Sequence, residues 1–241
     1  MNAELGDLGD QISAEFDGLL DYIWKSPNFI ENEIKTERQK LDAYFPEAGN
    51  EADREQRLLL RKLRAHYEGE NLFGRFPKFM ASSNLFLSAS LFEHFLLRLC
   101  RAVETHTNQP LSDQKGNGVD RYLRFLGATL GPLNTSEHYT EVGAAIVIRN
   151  ALLHADGEIE VCRNRVRLQQ IVSKKLYLAR DHRAEKDSSD SSWHPTVSIT
   201  GDPARLKINN DYSYIAAAYL KKFLLSLTKG ATAIEFWPFA A

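Results

Sequence analysis

Apolar residues recur at spacings of three and four along most of the chain, the period of amphipathic helices. Ile12, Phe16, Leu19, Leu20 and Ile23 form one such stripe within Asp10 to Trp24. Pro27 is placed to open a second helix, because the first turn has no use for the N–H that proline lacks. Phe29, Ile30, Ile34, Leu41 and Phe45 are the apolar face of that helix, and Pro46 is its stop. Gly49-Asn50 breaks the pattern. A charged helix rich in Arg and Leu follows from Arg54 to Glu68, and Gly69 with Asn71 to Pro77 reads as a connector.

The central block is the most regular. Phe79 to Thr105 carries Leu85, Phe86, Phe92, Phe95, Leu96, Leu99, Cys100 and Val103, enough to bury a helix on much of its circumference. A polar loop from Thr107 to Gly118 leads to a helix from Val119 to Leu130, ended by Gly131-Pro132. Asn134-Thr135-Ser136 offers N-cap side chains for a helix from Glu137 to about His154, with Gly157 as its stop. The pattern then loosens. Glu158 to Val172 fits strand or helix, and Arg183 to Trp193 is a polar loop. Thr196 to Thr200 and Arg205 to Ile208 alternate around Gly201-Asp202-Pro203, a hairpin signal. Tyr212 to Leu227 reads as a last helix closed by Gly230. The whole predicts a mainly α fold with a small β-hairpin near the C-terminus.

Composition narrows the class without naming a function. The 241 residues are 43% hydrophobic and 26% charged, values of a globular protein rather than a disordered one. Cys100 and Cys162 supply neither a disulfide framework nor a CxxC pair, and each reads as a small buried hydrophobe. No run approaches 18 apolar residues and the N-terminus lacks a signal-peptide pattern, so a cytoplasmic protein with no membrane partner is expected. The net charge of −2 conceals an asymmetry. Residues 1–53 hold 4 Lys+Arg against 13 Asp+Glu, whereas residues 54–241 hold 26 against 19. Near-neutrality therefore does not exclude a nucleic-acid partner.

Phosphate-cradling GxxxxGK[ST] and GxGxxG loops, HExxH and GxSxG are all absent, so no cofactor and no metal is indicated. The constellation that remains is Arg149-Asn150-Ala151-Leu152-Leu153-His154, followed by Ala155-Asp156-Gly157. Asn150 and His154, four apart, share a helix face about 40° wide, while Arg149 lies about 140° from His154. An Arg stabilises negative charge on a phosphate through a rigid fork of donors, a His moves protons, and an Asn orients either. The group fits cleavage of an RNA phosphodiester by its neighbouring 2′-OH. The same residues also have a structural reading: Arg149 pairing with Glu141 or Asp156, and His154 capping a helix end. Glu93 occupies a small, apolar helix face with Ala89, Ser90, Leu96 and Leu97, where a carboxylate needs a partner; Arg149 and Arg98 are both available. Residues 158–186 hold eight Lys+Arg, including Arg163, Arg165, Arg167, Lys174 and Lys175, against four acids, a patch suited to phosphate attraction or to a solvated face.

The string from Arg149 to His154 resembles the Arg-Asn-x-x-x-His signature of HEPN domains. Ser90-Leu91-Phe92-Glu93-His94-Phe95 in a long helix, and Lys115-Gly116 ahead of Val119 to Leu130, resemble the helical context of that family. The resemblance covers roughly residues 78–230. It implies a HEPN-like up-and-down helical bundle over 78–230, with a polar insertion at about 158–195, preceded by an N-terminal helical extension of residues 1–77 and followed by a tail, 231–241. It further implies a homodimer with metal-independent endoribonuclease activity, in a toxin–antitoxin or phage-defence setting with an antitoxin or other protein partner. The catalytic roles would fall to Arg149, His154 and Asn150, with Glu93 in support. Two copies of the signature would meet across the dimer, so that Arg149 of one chain works with His154 of the other. A HEPN-like scaffold that binds nucleotide or RNA without cutting it is the alternative, and a helical interaction protein docking a basic partner through its acidic N-terminal region is a third.

Overall fold

The computed structural model describes residues 2–44, 51–107, 109–136, 138–173, 178–180 and 193–234. Among them the fold is mainly α, with a β-hairpin near the C-terminus. The helices are α1 (Asn2–Lys25), α2 (Pro27–Tyr44), α3 (Glu51–Glu70), α4 (Phe76–Thr107), α5 (Gly118–Leu130), α6 (Tyr139–Ala155), α7 (Arg165–Ser173) and α8 (Asn210–Ile234). Strands β1 (Leu178–Arg180) and β2 (Trp193–Pro195) pair antiparallel. Strands β3 (Val197–Thr200) and β4 (Arg205–Ile208) form the hairpin, with Val197 opposite Ile208 and Thr200 opposite Arg205. The polar loop expected at 183–193 falls almost entirely outside the described residues.

The core is built on α4 and α8, with α1, α5 and α6 packed around them. Phe92, Phe95, Leu96 and Leu99 of α4 meet Leu220, Phe223 and Leu224 of α8, and the rings of Phe92 and Phe223 lie 6.3 Å apart. The first helix begins well before Asp10 because Leu5 and Leu8 continue the stripe of Ile12, Phe16, Leu19 and Ile23, and all six are buried. Of the 1–77 segment, α1 therefore shares the core of the 78–230 body. A buried polar lock sets its register. Asn84 donates through Nδ2 to Ser26 Oγ (3.1 Å) and Asn210 Oδ1 (2.8 Å), and Asn210 Nδ2 donates to the carbonyl of Ile23 (2.7 Å). Ser213 donates to the carbonyl of Ala81 at 2.7 Å, so α1, α4 and α8 are tied by satisfied groups.

Helices α2 and α3 are held differently. No apolar side chain described on α2 is buried; Phe29 is exposed, and Ile30, Ile34 and Leu41 are half-buried. Phe45 and Pro46 lie outside the described residues. The two helices join through Glu37, which accepts from Lys40 (2.6 Å) and Arg64 (2.9 Å), and through Arg61 with Asp42 (2.6 Å).

The connector expected over Gly69 to Pro77 is helical instead. A π-helical turn, Asn71–Arg75, joins α3 to α4 without a break. The cause is local: proline inside an α-helix lacks a donor and crowds the carbonyl four residues back. A wider turn just ahead of Pro77 accommodates both. Three further expectations change. Asn134-Thr135-Ser136 does not cap α6: Leu133–Thr135 is a 3-10 turn, and His138, in the left-handed region, precedes the helix. Gly230 lies inside α8, which runs on to Ile234. The ambiguous 158–172 stretch divides, Glu158 bridging to Arg205 and Arg165 onward forming α7.

Candidate functional site

Helix α6 is buried on most sides by Val142, Ala144, Ala145, Val147, Ile148, Ala151 and Leu152. Arg149, Asn150 and His154 lie in its last two turns. Arg149 and Asn150 are half-buried, and His154 is exposed in the final turn. The Arg149 guanidinium is held sideways by its neighbour, Nη1 donating to Asn150 Oδ1 at 2.8 Å, while Nε is buried with no hydrogen-bond partner among the described residues. Arg149 and His154 do not touch through a hydrogen bond, in keeping with the wide angle between them on one helix.

Arg167 reaches this face from α7. Its Nη2 lies 2.8 Å from where a Cβ on Gly143 would sit, so the guanidinium rests on α6 at a position open because that residue is glycine. Gly143, Asn150 and His154 fall within about 40° on the helix, seven and eleven residues apart. One side of α6 thus presents the Arg167 guanidinium, Asn150 and His154 in a row, with Arg149 bonded to Asn150 from about 100° around the helix. Arg163, in the turn before α7, and Arg165, its first residue, are exposed, and Lys174 and Lys175 lie outside the described residues.

The turn after α6 is tightly determined. Asp156 (φ 46°) and Gly157 (φ 76°) are both left-handed, and the Gly157 N–H returns to the Ala151 carbonyl at 3.1 Å. Gly157 then accepts from the Leu206 N–H at 2.7 Å, and the Ile159 N–H donates to the Ala204 carbonyl at 3.0 Å, docking the hairpin against the end of α6. A Cβ at Gly157 would lie 2.6 Å from the Leu206 carbonyl oxygen. Asp156 accepts from Lys78 Nζ (3.0 Å) at the start of α4 and Arg205 Nη1 (2.7 Å) on β4; Arg205 also reaches Glu158 (3.4 Å). The Lys78 hydrogen bond, with Arg205 beside it, holds the Asp156 carboxyl below its usual range. Neither Lys78 nor Arg205 was singled out by sequence; the adjacency of Asp156 to Gly157 was the local signal, and the partners lie 78 and 49 residues away.

Glu93 is not brought to Arg149: no hydrogen bond or ion pair joins them, and the Arg149 fork bonds Asn150. Glu93 turns to α5 instead, Oε1 lying 2.8 Å from the Cβ position of Gly118, where a helix N-terminus favours a carboxylate. Of the two cysteines, Cys100 is buried and its thiol is pushed up to about 12 by desolvation; Cys162 is half-buried, its thiol raised by the same cause. Among the described residues, no three His, Cys, Asp or Glu side chains are placed to hold a metal, and no helix is long and apolar enough to cross a membrane. Set against known protein families, characterised proteins and solved structures, the chain matches none.

Proposed function

We propose that this chain is a HEPN-like protein that binds RNA along the exposed side of α6 and cleaves it without a metal. The observation that carries the reading is the grouping at the end of α6: the Arg167 guanidinium over Gly143 and His154 open to solvent on one side, with Arg149 bonded to Asn150 beside them. Cleavage by the neighbouring 2′-OH needs a group to take and return protons and a cation to meet the charge on phosphorus. His154 supplies the first and Arg149 the second. Asn150 restricts the guanidinium to one orientation, which lowers the ordering cost of a phosphate contact. Arg167, with Arg163 and Arg165, contributes attraction to the RNA backbone rather than chemistry.

The purified protein should cleave RNA in EDTA and leave 2′,3′-cyclic phosphate ends. Arg149→Ala and His154→Ala should each slow cleavage by about 100-fold or more, while Arg167→Ala weakens binding and leaves the products unchanged. Cleavage by either of the first two variants at the parent rate overturns the assignment. A second reading, an RNA-binding scaffold that does not cut, is favoured by the angular separation of Arg149 from His154 within one chain. RNA binding that falls with Arg167→Ala, with no cleavage at any protein concentration, would decide for it.

A further inference from the structure

The two faces of α3 are reversed relative to a helix that packs its apolar side inward. Its arginines at 57, 61 and 64 lie about 140–200° from Leu59 on the helix. This is the side turned to α2, where Arg61 meets Asp42 and Arg64 meets buried Glu37. The opposite side carries Leu59, Leu60, Leu63 and Tyr67 within about 100°, and these are 58%, 47%, 57% and 58% exposed. A stripe of this kind on a single helix marks a contact surface.

We propose that the stripe is where two copies of the chain associate, α3 of one lying antiparallel to α3 of the other. Charge selects this occupant. Glu55 and Lys62 lie seven residues apart on one edge of the stripe, both are exposed, and neither makes an ion pair among the described residues. In an antiparallel pair of helices the same edges meet. Glu55 then opposes Lys62 of the second copy, and Lys62 opposes its Glu55. The two-fold axis then falls between residues 58 and 59, which brings Leu59 of each copy close to the axis. A uniformly acidic or basic partner would match one of these charges and repel the other; a copy of the same helix matches both. Four apolar side chains per copy make an interface under about 1,200 Å² in total, the class of weak and reversible association.

This pairing is independent of the proposed activity. Lys78, bonded to Asp156 beside His154, stands some 18–20 residues along the continuous helix from the axis, roughly 27–30 Å at 1.5 Å per residue. The two α6 sites of such a dimer are therefore well separated, and neither completes the other.

Sedimentation velocity of the full chain across about 1–300 µM tests the proposal in the weak-association range. A reversible monomer–dimer equilibrium is expected. Glu55→Lys should weaken it by about tenfold or more, and Glu55→Lys with Lys62→Glu should restore it to within about threefold of the parent. Leu59→Gln with Leu63→Gln should abolish it with an unchanged circular dichroism spectrum. A monomer at every concentration overturns the proposal, as does a dimer indifferent to Glu55→Lys and to the leucine changes.

Discussion

Gly157 and Asp156 are neighbours in the turn that follows His154, yet their physical weight differs. Gly157 combines a left-handed backbone with a Cβ position 2.6 Å from the Leu206 carbonyl oxygen, and that oxygen belongs to a hairpin with little room to retreat. Gly157→Ala should cost about 2–3 kcal/mol in urea unfolding, and an unchanged midpoint would show that the hairpin moves aside freely. Asp156 is 65% exposed, so its two cations are screened and Asp156→Asn should cost well under about 1 kcal/mol at neutral pH. The sign of its pH dependence is fixed by the lowered carboxyl. The contribution is present above the usual Asp range near pH 4 and is lost as pH falls through the lower folded value. Parent and variant should thus converge in stability as pH falls below the usual Asp range; a gap that widens there would contradict the pairing. At this scale the periodic spacing puts Arg149, Asn150 and His154 on one helix, and α6 holds all three, because a helix pattern is local to the residues that carry it. It could not indicate that Arg167 rests on Gly143 or that Lys78 and Arg205 meet Asp156, since those contacts depend on how separate elements dock.

Helix by helix, the legible parts are those whose packing follows their own pattern. The hairpin of β3 and β4 coincides with the alternating segments around Gly201-Asp202-Pro203, and α1, α4 and α8 bury the stripes their spacings define. The join between α3 and α4 was obscure because Gly69 and Pro77 are breakers by composition, whereas a π turn absorbs the proline without ending the helix. Helix α2 is the opposite case: its periodicity is present, but its attachment is ionic. Surface and half-buried ion pairs contribute roughly 0.2–1 kcal/mol each, against about 1.5–3 kcal/mol for each buried Leu, Ile or Phe of α1. Backbone amides of α2 should therefore exchange with deuterium well before those of α1, α4 and α8. Glu37 is the most sensitive point, its carboxyl lowered first by the Lys40 hydrogen bond and then by Arg64. Glu37→Gln should speed exchange in α2 and α3 and leave α4 and α8 unaltered; equal protection of α2 and α4 in the parent would refute this ranking.

For the molecule as a whole, the charge asymmetry acquires a structural meaning. The acidic segment of residues 1–53 is not uniform in its packing. Its first helix turns Leu5, Leu8, Ile12, Phe16, Leu19 and Ile23 into the protein, while Asp7, Asp10, Glu15, Asp17 and Asp21 remain exposed. Asp17 is paired with Lys221 of α8 at 2.7 Å and Asp21 with Lys25 at 2.6 Å. The acids are thus the outer surface of a core helix. Six buried side chains at about 2 kcal/mol each amount to roughly 12 kcal/mol, comparable with the whole stability of a domain, about 5–15 kcal/mol. Deleting residues 1–25 should therefore abolish cooperative thermal unfolding, rather than release a basic body from a removable shield. Any restraint that the acids exert on RNA binding must be sought with the fold intact. Asp7→Asn, Asp10→Asn and Glu15→Gln together remove three exposed negative charges and no buried contact. That variant should keep the parent's melting temperature and bind RNA more tightly at low salt, with the gain fading as salt screens the field. A truncated chain that melts cooperatively near the parent temperature would overturn the assignment of α1 to the core.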